Sequence, residues 1–321
     1  MEDVFAHRSQ SNGEAHWMRT AWRGFRHDWV GLLRVHPKTL ESHRRDAGAT
    51  WVLGCTVSLL MIPLAGGCSA TRVRSPDRLD KGYVIVLPGI EGSSFLNANV
   101  AKGLVDGGIP SAIDVYDWTA GSILLFPVTL RGFERNKHQA QIVAQKIMDY
   151  QDRYPGRPVH LIGHSGGGGV AVLALEALPS GRTITGAVLL APALAPDYDL
   201  RRALRRAEFG IYNYYSPHDV GFLKAGTTVL GTIDGRHTSA AGARGFTMPW
   251  GLDKEDRQLY GAKLHQQRYT SKMAESGHSG GHTGWANRQF VAQWLAPVIY
   301  SQIDAHTEYA ADVRKQATQH P

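Results

Sequence analysis

The sequence predicts an α/β protein with a mostly parallel sheet and helices on both faces. From residue 82 onward, apolar runs of strand length alternate with segments whose apolar residues have helical spacing. Such alternation is typical of βαβ units, in which the strands lie parallel and are buried between two layers of helices. The composition agrees, because 43% of the 321 residues are hydrophobic and 20% are charged, which suits a chain with a sizeable core.

Five segments predict strands, because each is a short apolar run bounded by turn-forming residues. They are Tyr83–Leu87, Ala112–Tyr116, Val159–Ile162, Ala187–Ala191 and Ile211–Tyr215. A further strand is expected at or beside His265.

Helices are predicted where apolar residues recur at i, i+3, i+4 and i+7. This spacing runs from Ala140 to Ile147 and from Val170 to Leu178. A last helix is expected from Val291 to Val298, and Pro297 should end or bend it, since proline cannot donate the helical hydrogen bond.

Charge and cysteine content exclude several classes of protein. The formal net charge is +7, but Lys and Arg are spread along the chain rather than gathered in one basic stripe, so no nucleic-acid partner is expected. Two cysteines cannot build a disulfide framework.

An export signal is predicted near the N-terminus. No charged residue occurs from Ala47 to Thr71, and a basic flank precedes this apolar stretch. The stretch ends in Leu64–Ser69, which resembles a bacterial lipobox and implies cleavage before a lipid-modified Cys68. An uncleaved N-terminal membrane helix is the alternative. Either interpretation predicts an exported protein that is anchored to a membrane in the cell envelope.

The expected organisation has five parts. They are an N-terminal extension of unknown role (1–46), a signal segment with the lipobox (47–68), a linker (69–81), an α/β domain (82–302) and a C-terminal tail (303–321).

The sharpest motif is Gly163-His164-Ser165-Gly166-Gly167, which fits the pattern G-x-S-x-G between a predicted strand and a predicted helix. The chain must turn sharply there to lift the serine hydroxyl above the sheet, and glycines allow that turn. The helix that follows offers free N–H groups beside the serine.

This motif in this context resembles the α/β-hydrolase superfamily over roughly Gly82 to Tyr300. The resemblance implies the α/β-hydrolase fold and Ser165 as nucleophile. Residues 87–94, Leu-Pro-Gly-Ile-Glu-Gly-Ser-Ser, look like the oxyanion loops of some lipases and acyltransferases. The resemblance therefore implies that the N–H groups of Ile90 and Gly166 form the oxyanion hole.

The resemblance also implies an acid after a later strand and a histidine near the C-terminus, in the order nucleophile, acid, histidine. Asp219 follows the fifth predicted strand and is the favoured acid, with Asp197, Asp199 and Asp234 as alternatives. His282 is the favoured base because it lies nearer the last helix.

His278 is the alternative base. The two histidines are four residues apart, but glycines and serines surround them, so the sequence predicts no metal site.

The implied function is a serine hydrolase that cleaves carboxylic esters without a cofactor, on small-molecule or lipid substrates. The alternative is a non-catalytic surface lipoprotein that uses the fold as a binding scaffold. Phe95, Trp118 and Trp250 are expected in the core, with the lining of an apolar cleft as the other option.

Overall fold

The structure is a computed structural model that describes residues 72–121, 129, 132–219 and 231–319. The predicted extension (1–46), the signal segment (47–68) and Cys68 lie outside the described residues.

The described residues form a seven-stranded sheet in the order β1-β3-β2-β4-β5-β6-β7. The strands are β1 (Arg72–Val73), β2 (Tyr83–Leu87), β3 (Ala112–Val115), β4 (Val159–His164), β5 (Gly186–Leu190), β6 (Ile211–Tyr215) and β7 (Leu264–Arg268). All neighbouring pairs are parallel except β1 with β3. Strands β2 to β5 are completely buried, which explains their continuous apolar runs.

Helical segments connect the strands. They are α1 (Pro76–Leu79), α2 (Phe95–Asp106), α3 (Phe133–Arg153), α4 (Gly166–Ala177), α5 (Arg201–Leu204), α6 (Ala241–Arg244), α7 (Lys254–Lys263), α8 (Arg288–Phe290) and α9 (Ala296–Gln319). Two 3₁₀ turns occur at Ser271–Ser276 and Gly284–Ala286, and one π-helical turn at Val291–Leu295.

The strand order places helices on both faces of the sheet. The chain moves outward from β2 to β3 through α2, then crosses back past β2 to β4 through α3. Right-handed crossovers in opposite directions put α2 and α3 on opposite faces. Helix α4 packs against α3, whereas α2 packs against α8 and the π-helical turn. The loops that follow the parallel strands therefore meet at one edge, the carboxyl edge of the sheet.

The predicted fold class and strands are confirmed, but three local expectations differ. The stretch predicted as a linker contains β1, which pairs with β3, and α1. Of the two outcomes expected at Pro297, an end or a bend of the last helix, the end does not occur. Pro297 lies directly after the π-helical turn, as the second residue of α9, where a missing N–H costs little. Helix α9 then continues through residue 302, so the predicted start of a tail falls inside a helix.

Candidate active site

Ser165 occupies a strained turn between β4 and α4. Its backbone has φ 54° and ψ −119°, and only Ala191 shares a positive φ among the non-glycine residues of the described ranges. Such a conformation costs free energy and persists only when its surroundings hold it in place. Here the Ser165 N–H donates to the Leu190 carbonyl at 2.9 Å, and the Ser165 carbonyl accepts from the N–H of Gly168 and of Ala193.

The glycines of the motif are required by close backbone contacts. An added Cβ at Gly163 would lie 2.4 Å from the Gly167 carbonyl oxygen. An added Cβ at Gly167 would lie 2.3 Å from the carbonyl oxygens of both Leu87 and Pro88. Strand β4, the start of α4 and the end of β2 are thus packed backbone to backbone, which explains the G-x-S-x-G spacing.

His282 and Asp219 are brought together beside this turn. Nδ1 of His282 lies 2.5 Å from Oδ2 of Asp219; the aspartate side chain is buried, and the histidine side chain is 9% exposed. Asp219 follows β6, and Ser216 in the same loop donates its hydroxyl to the Gly280 carbonyl at 2.6 Å. That bond ties the aspartate loop to the histidine loop. A carboxylate at Nδ1 orients the ring and leaves Nε2 as the acceptor.

The serine turn and the histidine loop contact each other through His164, the residue before Ser165. Its Nε2 lies 3.0 Å from the His282 carbonyl oxygen, and the two ring centroids are 4.9 Å apart. Within the described residues, Ser165 Oγ makes no hydrogen bond to His282. Such bonds are often long without substrate and tighten in the reacting complex.

The environment of His282 favours the neutral ring. Burial is the largest influence and lowers its pKa; the hydrogen bond to Asp219 raises it, and the charge of His164 lowers it again. The net effect is a pKa below the usual value of 6.5. A neutral imidazole at pH 7 can accept a proton, as a general base must.

His278, the alternative base, has a packing role. It is fully buried, and its ring lies edge-on against Trp285 at 3.9 Å between centroids. Its Nδ1 accepts a hydrogen bond from the Gly280 N–H at 2.9 Å. Burial lowers its pKa to about 4, so it stays neutral inside this aromatic cluster.

The alternative aspartates have other partners. Asp197 forms an ion pair with Arg236, Asp199 forms one with Arg201, and Asp234 accepts a main-chain N–H. In the part of the chain that the structure describes, none of these three carboxylates hydrogen-bonds a histidine.

Of the two expected oxyanion donors, Gly166 directly follows Ser165 and Ile90 lies in the loop after β2. Gly166 is the first residue of α4, so its N–H has no acceptor within the helix. Neither this N–H nor that of Ile90 donates to another described residue. Trp118 connects the two loops: its indole N–H donates to the Pro88 carbonyl at 2.7 Å, and an added Cβ at Gly166 would lie 3.0 Å from its ring.

Glu91 brings a second carboxylate to the site. Its Oε1 lies 3.8 Å from His164 Nδ1 and accepts a hydrogen bond from Asn97 at 3.2 Å. Burial is the largest influence and raises its pKa, but the neighbouring His164 and, to a smaller extent, the hydrogen bond from Asn97 bring the net pKa below its usual value. Glu91 is therefore ionised at neutral pH.

Two further results concern metals and membranes. Within the described ranges, no group of three or more His, Cys, Asp or Glu side chains is arranged to hold a metal ion. No helix in those ranges is long and apolar enough to cross a membrane.

Comparison with known families finds one match, which includes the Ser165 turn. The model of the family described as Serine aminopeptidase, S33 matches residues 131–218, which include Ser165 and end one residue before Asp219. The structure adds two features to this match: the sheet is mostly parallel, and a strained serine turn follows one of its central strands. This is the α/β-hydrolase fold.

Three solved structures with some likeness to the chain have 11–13% sequence identity to it. Est1E from Butyrivibrio proteoclasticus has 11% identity and a TM-score of 0.43, with 73% of this chain and 93% of that chain covered. Esterase PE8 has 13% identity and a TM-score of 0.39, with 76% and 98% covered. LpqC, a poly(3-hydroxybutyrate) depolymerase from Bordetella parapertussis, has 12% identity and a TM-score of 0.43, with 71% and 84% covered. No curated protein sequence matches this chain.

Two residues at the site of this α/β-hydrolase fold were not predicted from the sequence. Glu91 lies inside the predicted oxyanion loop and His164 inside the serine motif, but neither pattern assigns them a role. Of the three aromatic residues expected in the core, Trp118 is fully buried, whereas Phe95 is 76% exposed and Trp250 is completely exposed. That expectation was therefore wrong for Phe95, which is the first residue of α2, and for Trp250, which lies in the loop between α6 and α7.

Proposed function

We propose that this protein is a serine hydrolase that cleaves carboxylic esters with Ser165, His282 and Asp219 as its catalytic triad. The observation that carries the proposal is the 2.5 Å contact between His282 and Asp219 next to the strained turn of Ser165. Residues from three separate loops meet at the carboxyl edge of the sheet, where this fold builds its sites.

The reaction proceeds by two acyl transfers. Nε2 of His282 takes the hydroxyl proton of Ser165 as Oγ attacks the ester carbonyl carbon. His282 then gives that proton to the leaving alcohol, and an ester bond joins the acyl group to Ser165. A water molecule, deprotonated by His282, attacks this ester, and collapse of the second tetrahedral intermediate releases the acid and restores the serine.

The rate enhancement comes mainly from fixed charges and dipoles. The N–H groups of Ile90 and Gly166 hold the oxyanion of each tetrahedral intermediate, and losing one such donor typically costs about 3–4 kcal/mol of barrier. Asp219 keeps the histidine ring oriented and stabilises the imidazolium that forms during each step.

The experiment compares Ser165→Ala with the unmodified protein on p-nitrophenyl esters of increasing acyl length. We expect loss of turnover by a factor of about 10⁴ or more, since the nucleophile is gone. A fluorophosphonate probe should label the wild type and not the variant. Undiminished hydrolysis by the variant refutes the triad, and a wild type that neither turns over nor takes the label favours a binding scaffold.

Amide hydrolysis is the competing reaction, because the matched family model carries the description of an aminopeptidase. Aminoacyl p-nitroanilides tested beside the esters separate the two. A ratio of kcat/KM that favours the anilide overturns the assignment to esters and leaves the triad in place.

We also propose that the protein is exported and held at a membrane, by lipid on Cys68 or by an N-terminal helix, where it meets small-molecule or lipid esters. The support is the charge-free stretch and the lipobox-like sequence at its end. Incorporation of labelled palmitate into the wild type, and its loss in Cys68→Ser, tests the lipid. A chain recovered in the soluble fraction with no label overturns both forms of anchoring.

A further inference from the structure

The proposed oxyanion donor Ile90 lies at the centre of a four-residue turn. The Gly92 N–H donates to the Gly89 carbonyl at 3.1 Å, which closes the turn around Ile90 and Glu91. The N–H of the first central residue takes no part in the closing bond, so it remains available to a substrate. The direction of the Ile90 N–H therefore depends on what holds this turn.

The peptide group between Gly92 and Ser93, at the end of the turn, is held on both sides. Its carbonyl accepts a hydrogen bond from Nδ2 of Asn97 at 2.9 Å. Its N–H donates to Oδ2 of Asp117, also at 2.9 Å. Asn97 belongs to α2 and Asp117 to the loop after β3, so two separate elements fix the plane of one peptide group.

Gly92 makes this peptide group easy to rotate unless it is held. Its φ of 66° lies in the left-handed region, and glycine exchanges between backbone conformations at low cost. Rotation of the Gly92–Ser93 peptide would break both hydrogen bonds. It would also release Gly92, whose own N–H closes the turn around Ile90.

The two anchoring side chains are themselves fixed. Asn97 is fully buried. The second oxygen of Asp117 accepts from the N–H and the hydroxyl of Thr119, at 2.9 Å and 2.6 Å. Arg135 of α3 donates to the Trp118 carbonyl at 2.8 Å, which ties the loop after β3 to a helix. An anchor that is already ordered can hold its partner at little further cost in entropy.

Asp117 is ionised at neutral pH. Burial is the largest influence and raises its pKa, but hydrogen bonds from Thr119 and Ser93 bring the net pKa below its usual value of 3.8. A carboxylate forms stronger hydrogen bonds than a neutral acceptor does. A negative charge beside the oxyanion loop opposes the developing oxyanion, so any benefit from Asp117 comes from its hydrogen bond rather than from its charge.

We propose that Asp117 and Asn97 are positioning residues for the oxyanion hole: together they lock the Gly92–Ser93 peptide and so hold the turn that presents the Ile90 N–H. A locked turn keeps the donor aimed before the substrate arrives, so no rearrangement is needed as the oxyanion forms. The inference rests on the proposed function, and it assigns a role to two residues outside the proposed triad.

Asp117→Ala is the first test, because this side chain is exposed and its loss should leave the protein folded. In p-nitrophenyl ester hydrolysis by the full chain at pH 7, we expect kcat to fall about tenfold with KM nearly unchanged, since both acyl transfers use the hole. Complete loss of an oxyanion donor costs a factor of about 100–1,000, and a displaced donor should cost less. Removal of the charge alone would raise kcat, so an unchanged or higher kcat overturns the proposal.

A transition-state analogue distinguishes a displaced oxyanion donor from a general loss of structure. With an alkyl trifluoromethyl ketone, Ser165 Oγ bonds the carbonyl carbon, its proton passes to His282, and the carbonyl oxygen becomes an anion in the hole. We expect the inhibition constant of Asp117→Ala to rise by the factor by which kcat/KM falls. A fall in kcat/KM with an unchanged inhibition constant overturns the proposal.

The matched control is Asp253→Ala. Asp253 is also exposed and accepts a main-chain N–H, that of Asp256 at 2.8 Å, at the start of α7. Loss of this helix cap should lower Tm by about 2–4 °C, whereas kcat and the inhibition constant should match the wild type. A loss of kcat equal to that of Asp117→Ala would mean that any lost contact of this kind slows the enzyme, and would overturn the proposal.

Asn97→Ala tests the other side of the same peptide. Because the peptide is released once either hydrogen bond is lost, a second substitution has little left to remove. The double variant with Asp117→Ala should lose no more than about two- to threefold in kcat beyond the less active single variant. Losses that multiply would show that the two residues act independently, which overturns the shared lock. If Asn97→Ala does not fold, the kcat and inhibition constant of Asp117→Ala decide alone.

The Ser165→Ala result separates this inference from the proposed function. An active Ser165→Ala refutes the triad itself. An inactive Ser165→Ala together with a fully active Asp117→Ala overturns this inference alone.

Discussion

Substitution of Gly167 by alanine tests whether the nucleophile turn is packed as tightly as the structure indicates. The new Cβ would lie 2.3 Å from two main-chain oxygens, those of Leu87 and Pro88, whereas ordinary contacts begin near 3.4 Å. The end of β2 and the start of α4 would have to separate by about 1 Å. Forcing a methyl group into a packed core costs about 1–3 kcal/mol, against about 1 kcal/mol gained from better helix propensity.

A matched control is Gly261→Ala in the last turn of α7. Nothing lies within 4 Å of an added Cβ there, and the backbone is helical. This variant gains the propensity term without the clash and should be stabilised by about 0.5–1 kcal/mol. The same chemical change in two helices should therefore alter stability in opposite directions.

The assay is thermal unfolding followed by calorimetry, with ester hydrolysis measured alongside. For a domain of this size, 1 kcal/mol corresponds to about 2–4 °C in Tm. We expect Gly167→Ala to melt several degrees below the wild type and Gly261→Ala up to about 4 °C above it. Because the displaced backbone carries both proposed oxyanion donors, kcat of Gly167→Ala should also fall at least about tenfold. A Gly167→Ala protein as stable and active as the wild type would refute the packing argument.

Two other predictions concern buried polar groups. Trp118→Phe leaves the Pro88 carbonyl without its indole donor, so the oxyanion loop should loosen and kcat should fall several-fold. The control is Trp294→Phe, which loses an indole hydrogen bond to Ser276 and should keep its activity. Equal kcat values in the two variants would contradict the role of Trp118. Burial lowers the pKa of both His160 and His278 to about 4. Since these rings protonate near pH 6.5 in the unfolded chain, stability should be complete above that value and decline as the pH falls from 6.5 to 4, by up to about 3 kcal/mol for each ring. A Tm that stays constant from pH 7 to pH 4 would show that neither ring resists protonation in the folded state.

The position of the nucleophile turn was predictable because its cause is local. A strand, a sharp turn and a helix follow one another between Val159 and Ala177, and the backbone conformation at Ser165 requires small neighbours that the sequence displays as glycines. The buried strands were equally clear, since a strand covered on both faces must be apolar throughout.

The acid and base are harder to read, because their distinguishing features are not local. His278 and His282 lie four residues apart in one glycine- and serine-rich loop, and the sequence offers four candidate aspartates. The tertiary structure separates them by burial and partners: His278 sits among aromatic rings, whereas His282 faces Asp219.

The sequence by itself determined the fold class, most of the strands and the turn that carries the serine, because backbone constraints and burial select residue types over short stretches of sequence. Only the tertiary structure decided that His282 contacts Asp219 and that His164 and Glu91 lie beside this pair. It also decided that Trp118 contacts both the loop after β2 and the start of α4. Those contacts link segments that are distant in sequence, and the crossovers of a parallel sheet, rather than any local pattern, bring their loops to one edge.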